Sequence, residues 1–105
     1  MDGVSVTAKR LREARLAAKM SQKQLGIRAG IDEFSASARI NQYERGKHMP
    51  DYSTVERLAK VLATPTPFFY TRDDESAELI LCFGRLSTQG RKRILKLLSK
   101  MPPIS

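Results

Sequence analysis

Three side chains with paired hydrogen-bonding edges, Arg39, Asn41 and Gln42, stand just ahead of Glu44 and Gly46. A guanidinium matches the O6/N7 edge of guanine, and a carboxamide matches the N6/N7 edge of adenine, each through two parallel hydrogen bonds. Ser37 and Ala38 precede them. Ser21, Gln22, Lys23, Arg45, Lys47 and His48 add hydroxyl, amide and cationic groups of the kind that contact phosphate. Little else in the chain is equipped for chemistry. Cys82 is the only cysteine, so it forms neither an intrachain disulfide nor a multi-cysteine metal site, and its setting in LILCF reads as a small buried hydrophobe. His48 is the only histidine and lacks metal-ligand partners at any useful spacing. Asp73, Asp74 and Glu75 read as a helix cap and first-turn acids. With no paired carboxylates and no glycine-rich phosphate loop, no enzyme, metal or cofactor is expected.

Charge narrows the class of partner. Nineteen Lys and Arg against eleven acids give a net charge of +8 over 105 residues, a composition suited to polyanions because each cation placed on a phosphate releases condensed counterions. Residues 1–49 carry ten basic and five acidic groups, residues 50–82 three and six, and residues 83–105 six and none. An acidic middle between basic ends predicts distinct zones. RNA is disfavoured because no aromatic stacking platform accompanies the cations; Phe68, Phe69 and Tyr70 sit beside prolines and read as core. No run approaches the roughly 18 apolar residues of a membrane span. The stretch MDGVSVTAKR lacks the apolar run of a secretory leader, so a cytoplasmic location is expected.

The elements that must position these groups are helical. Ala8, Leu11, Ala14 and Ala18 recur at steps of three and four, with Thr7 as the expected N-cap. Ser21 caps a second helix whose buried face is Leu25 and Ala29, and Gly30 ends it. Ile40 and Tyr43 keep helical spacing up to a second stop at Gly46. Ser53 is the expected cap of STVERLAKVLA, with Val55, Leu58, Ala59 and Leu62 as one stripe. Pro65 and Pro67 interrupt the next stretch, which reads as a linker with an aromatic turn docking on the core. Two further helices are predicted over about 75–86 and 88–100, with Ser87 between them. No segment alternates with period two, so the fold class is all-α.

SQKQLGIRAG followed by RINQYERGKHMP resembles the helix-turn-helix of lambda repressor/Cro-type (XRE) regulators, over roughly residues 7–63. The resemblance implies a five-helix DNA-binding domain at 7–70, with a C-terminal helical hairpin at 73–101. It also implies sequence-specific binding of double-stranded DNA by a transcription regulator, most naturally a repressor. It places Ser37, Ala38, Arg39, Asn41 and Gln42 at base-contacting positions, and Ser21, Gln22, Lys23, Arg45, Lys47 and His48 on the DNA backbone. It also implies a structural ion pair between Arg15 and Glu44, and leaves Arg10 and Arg12 as a solvated helix face. Gly26 departs from the family's usual Ala. The interval from Gly30 to Gly46 is about four residues, close to one helical turn, longer than usual. GIDEFSASA therefore makes either a longer turn or an extra turn of the recognition helix.

Leu79, Ile80, Phe83 and Leu86 form one apolar stripe in the C-terminal region, and Ile94, Leu97, Leu98 and Met101 another. Arg91, Lys92, Arg93, Lys96 and Lys100 form its wet face. The stripes must be buried on the DNA-binding domain or on a second chain. A homodimer is the favoured expectation, because operators of this class are read as paired half-sites about 34 Å apart. The alternative is an antitoxin or adaptor whose hairpin binds a protein partner.

Overall fold

Five of the helices begin on a side chain that accepts a hydrogen bond from the backbone amide three residues on, the contact that satisfies an otherwise orphaned donor. The computed structural model describes residues 5–104; residues 1–4 of the N-terminal stretch read above, and Ser105, lie outside it. Helices α1 (Val6–Ala17), α2 (Gln22–Arg28), α3 (Ala36–Glu44) and α4 (Tyr52–Val61) are followed by a 3₁₀ helix at Thr66–Tyr70, then α5 (Asp74–Gly84) and α6 (Thr88–Lys100). No strand occurs among the described residues.

Two expected caps are corrected. Ser5, not Thr7, caps α1, and the Thr7 hydroxyl is buried and donates to the Phe69 carbonyl at 2.9 Å. Asp51, not Ser53, caps α4; the Ser53 hydroxyl donates to the same carboxylate. The hydrogen bond from Thr54 holds the Asp51 carboxyl below its usual range. Ser21 does cap α2, and Gln24 returns the favour to the Ser21 amide, completing a capping box.

Four helices stop in one way. After α1, α2, α3 and α4 the chain enters the left-handed region at Lys19, Gly30, Gly46 and Ala63. In each, two reversed hydrogen bonds close the end, such as Ile31 to Gly26 and Lys47 to Gln42. Glycine makes this conformation sterically easy at Gly30 and Gly46, which is why those two stops were visible in the sequence.

The core lies where the four helices and the 3₁₀ helix meet. Leu11, Leu25, Ile40, Val55, Leu58 and Phe69 are fully buried there. Phe68 and Phe69 pack edge to face, whereas Tyr70 is largely exposed and stacks on Tyr52, a correction to its core assignment. Cys82 is likewise exposed rather than buried. It lies on the outer side of α5, which meets the core through Ala77 with Ile80 and Leu81 half-buried.

Arg10 is the largest correction. Far from being a solvated surface group, it is 3 % exposed. Its guanidinium donates to the carbonyls of Thr71 and Arg72 and to Glu13, pairs with Asp74 at 2.9 Å, and lies over the Phe68 ring. The hydrogen bond from Arg10 holds the Asp74 carboxyl below its ordinary range. Five donors in a fixed fork let one arginine fasten the linker and the start of α5 to α1.

Helices α2 and α3 approach closely at Gly26. A Cβ added there would lie 2.7 Å from the Cβ of Ala36 and 3.0 Å from its Cα and carbonyl oxygen, so α3 starts directly against the backbone of α2. Gly26→Ala therefore gains about 1 kcal/mol of helix propensity but overpacks a site where overpacking typically costs about 1–3 kcal/mol. We expect a lower melting temperature by circular dichroism. Ala36→Gly in the same chain should recover part of the loss. A rise in melting temperature for Gly26→Ala alone would refute the close approach.

Candidate nucleic-acid interface

The interface is built from a buried carboxylate outward. Glu44, in the last turn of α3, has a side chain 2 % exposed. Such a charge is tolerable only when paired and hydrogen-bonded. The Arg15 guanidinium grips it with two nitrogens, Nε to Oε2 and Nη2 to Oε1 at 3.0 Å, while Nη1 donates to the Met20 carbonyl at 2.9 Å. The expected ion pair is present and bidentate. Gln22 Nε2 donates to the same Oε1 at 3.1 Å and to Asn41 Oδ1 at 3.3 Å. Arg12 approaches from its exposed side at 4.0 Å. One carboxylate thus ties α1, the start of α2 and α3 together.

With that face of α3 held, the opposite face is free. Ile40, Tyr43 and Glu44 point inward with Ala36, while Ser37, Ala38, Arg39 and Arg45 are exposed and Gln42 is half-buried. The extra residues between Gly30 and Gly46 prove to be turn, not helix. Ser35 donates its amide to the Asp32 carbonyl at 2.9 Å, and α3 begins at Ala36. Ser37 and Ala38 therefore lie in the first helical turn. Ser35 makes no side-chain cap contact, so its hydroxyl does not satisfy the first amides of α3.

The other sequence candidates divide into two groups. Lys23, Arg45, Lys47 and His48 are exposed, as is Ser21, whose hydroxyl is occupied in the cap. Gln22 and Asn41 are half-buried and joined to each other, and Gln22 also to Glu44, so they brace the site as well as bordering it. Two contributors escaped the sequence reading. Arg57 Nε donates to the Ala29 carbonyl at 3.1 Å, holding α4 against the end of α2; a cation within a helical stripe carried no signal for that role. Phe34 is 94 % exposed on the turn before α3. Its only sequence signal was an aromatic residue amid cap-forming neighbours.

The C-terminal helices stand apart from this site. α5 docks through Ala77, but no residue of α6 is buried. Arg91 fixes their junction, donating to the Phe83 and Gly84 carbonyls at 3.2 and 3.1 Å while its guanidinium lies over the Phe83 ring. Leu79, Leu86, Leu97, Leu98 and Met101 are exposed, and Ile80, Phe83 and Ile94 half-buried. Among the described residues, no helix is long and apolar enough to cross a membrane, and no cluster of three potential metal ligands occurs.

A family model described as a helix-turn-helix domain matches residues 8–67. Among solved structures, the chain is similar to the transcriptional regulator BswR, with a TM-score of 0.86 and 47% sequence identity over 90% of this chain and 93% of that one. A search of curated proteins found no match.

Removing one partner of a buried charge pair typically costs about 3–5 kcal/mol, because the other charge is left buried. Arg15→Ala should therefore lower the melting temperature markedly, and Arg15→Lys, which keeps the charge but loses the fork, should restore only part of it. An Arg15→Ala chain as stable as the parent in thermal denaturation would contradict the clamp.

Proposed function

Because this chain belongs to the helix-turn-helix domain family, of the lambda repressor/Cro (XRE) type, we propose that it is a transcriptional repressor that occupies a two-fold DNA operator as a dimer. The observation that carries this reading is the Arg15–Glu44–Gln22 clamp, which holds α3 against α1 and α2 and turns its opposite face outward. In this motif the start of the second helix lies in the major groove. Arg39 is the leading guanine reader and Gln42 the leading adenine reader, with Ser37 and Ala38 on neighbouring base edges. Asn41 is a weaker adenine reader, since a bidentate contact needs its carbonyl, which Gln22 already engages. Ser21, Gln22, Lys23, Arg45, Lys47 and His48 would position the backbone, and Gln22 would couple phosphate contact to the clamp.

The dimer reading rests on the C-terminal helices. Together with Pro65, these helices expose a groove of about 460 Å³ lined by Leu79, Ile80, Phe83, Leu95 and Leu98. α6 bears Arg91, Lys92, Arg93, Lys96 and Lys100 and no acid, while α5 and its cap bear Asp73, Asp74, Glu75 and Glu78. Two α6 helices side by side would repel, whereas α6 of one chain laid along α5 of a second pairs opposite charges and covers both apolar stripes.

Selection of bound duplexes from a randomised pool tests the DNA reading. The parent chain should return two half-sites, and Gln42→Ala should relax one base position in each, whereas Lys47→Ala should weaken all sequences alike and reduce the salt slope by about one per half-site. A selected site unchanged by Gln42→Ala would remove that residue from the code.

Sedimentation tests the second part. The parent should sediment as a dimer at micromolar concentration, and Leu98→Glu as a monomer with an unchanged helix-turn-helix melting transition. A parent that stays monomeric at high micromolar concentration leaves the groove to a different protein and overturns the dimer.

A further inference from the structure

Phe34 is 94 % exposed, and among the large hydrophobic residues described only Ile104 near the C-terminus is more so. The ring is not carried on a slack loop. The Asp32 carboxylate accepts from the Phe34 amide at 3.0 Å, the Asp32 carbonyl accepts from Ser35 at 2.9 Å, and the Ser35 carbonyl accepts from Arg39 at 2.8 Å. Two residues on, Ala36 is fully buried against Gly26. The backbone is thus fixed on both sides of a phenyl ring that touches water, an arrangement that forgoes the burial such a ring normally supplies.

The position of the ring narrows what it can meet. It lies two residues before α3 begins at Ala36, at the end of the helix that faces base edges in this motif. Phenylalanine has no donor or acceptor, so it cannot fix a phosphate. The adjacent Asp32 and Glu33 are exposed and negative, which further disfavours the DNA backbone. The apolar feature that the major groove offers is the C5-methyl group of thymine.

We propose that Phe34 is a specificity-determining residue that packs on a thymine methyl at the edge of each half-site, beside the bases met by the first turn of α3. This rests on the reading that α3 enters the major groove. The four-residue extension of the turn then widens the read sequence by one apolar contact beyond those of α3 itself.

The test uses the full chain and duplexes selected by it. The selected half-site is expected to contain a thymine at one edge. Replacing that thymine by uracil removes only the methyl group and should weaken the parent about fourfold per half-site, the worth of one buried carbon. Phe34→Ala should bind the thymine duplex more weakly, bind thymine and uracil duplexes equally, and keep the salt slope of the parent. Phe34→Leu should keep part of the discrimination. Because the ring is exposed, neither substitution should change the melting temperature.

Unchanged site selection and thymine-to-uracil discrimination in Phe34→Ala would overturn the proposal. So would a loss on both duplexes with no discrimination by the parent, the result of a ring wedged between base steps or serving a protein partner. Specific binding by a parent indifferent to the methyl group overturns this inference alone, whereas a parent that selects no sequence overturns the regulator reading beneath it.

Discussion

The geometry of the reading head depends on one buried carboxylate. Glu44 is nearly sealed from solvent, and an unpaired charge in that place would cost several kcal/mol after relaxation. Its stability there requires Arg15 from α1 and Gln22 from α2, both in their observed positions. The requirement works in reverse as well. If α3 rotates or slides, the carboxylate loses the bidentate fork, and the exposed Arg12 at 4.0 Å is the remaining cation beside it. Apolar packing of Leu25, Ile40 and Tyr43 drives the helices together, but non-directional packing tolerates small rotations that the bidentate fork does not. If α3 presents side chains to base edges as proposed, it needs that directional constraint.

The Gly26–Ala36 approach complements the clamp from the other end of α3. The clamp fixes the C-terminal turn, and the contact at Ala36 fixes the N-terminal one. Together they determine both the tilt of α3 and its distance from α2. An alanine at Gly26 would collide with Ala36, which accounts for glycine where the family pattern usually has alanine.

Much of this was legible in the sequence, and the failures share a cause. Helix spacing, the stops at Gly30 and Gly46, the Ser21 cap and the Arg15–Glu44 pair were visible because each has a local or family-level pattern. Arg10 was not. Its acceptors include carbonyls of Thr71 and Arg72, some sixty positions away, and backbone oxygens carry no signature in a residue string. The caps at Ser5 and Asp51 lost out to the nearby Thr7 and Ser53 because neighbouring polar residues compete at this resolution. The left-handed stops at Lys19 and Ala63 were hidden for the opposite reason, since neither residue advertises positive φ. The turn at residues 32–35 was left open between helix and loop, and hydrogen bonding from Ser35 to Asp32 decided it.

The buried arginines also change what the net charge means. Nineteen cations suggested a polyanion partner, yet Arg15 is neutralised by Glu44 and Arg10 by Glu13 and Asp74. Buried in those pairs, the two guanidinium groups are not placed on phosphates and so release none of the counterions condensed on DNA. The cations available near α2 and α3 are the exposed Lys23, Arg28, Arg39, Arg45 and Lys47, a smaller set than the composition implies. α6 holds a comparable number on a helix that buries none of its residues. If a second chain's acidic α5 covers that helix, its charge too is withdrawn from the phosphate backbone. The sensitivity of DNA binding to salt would then report the few cations around the reading head, not the net charge of the chain.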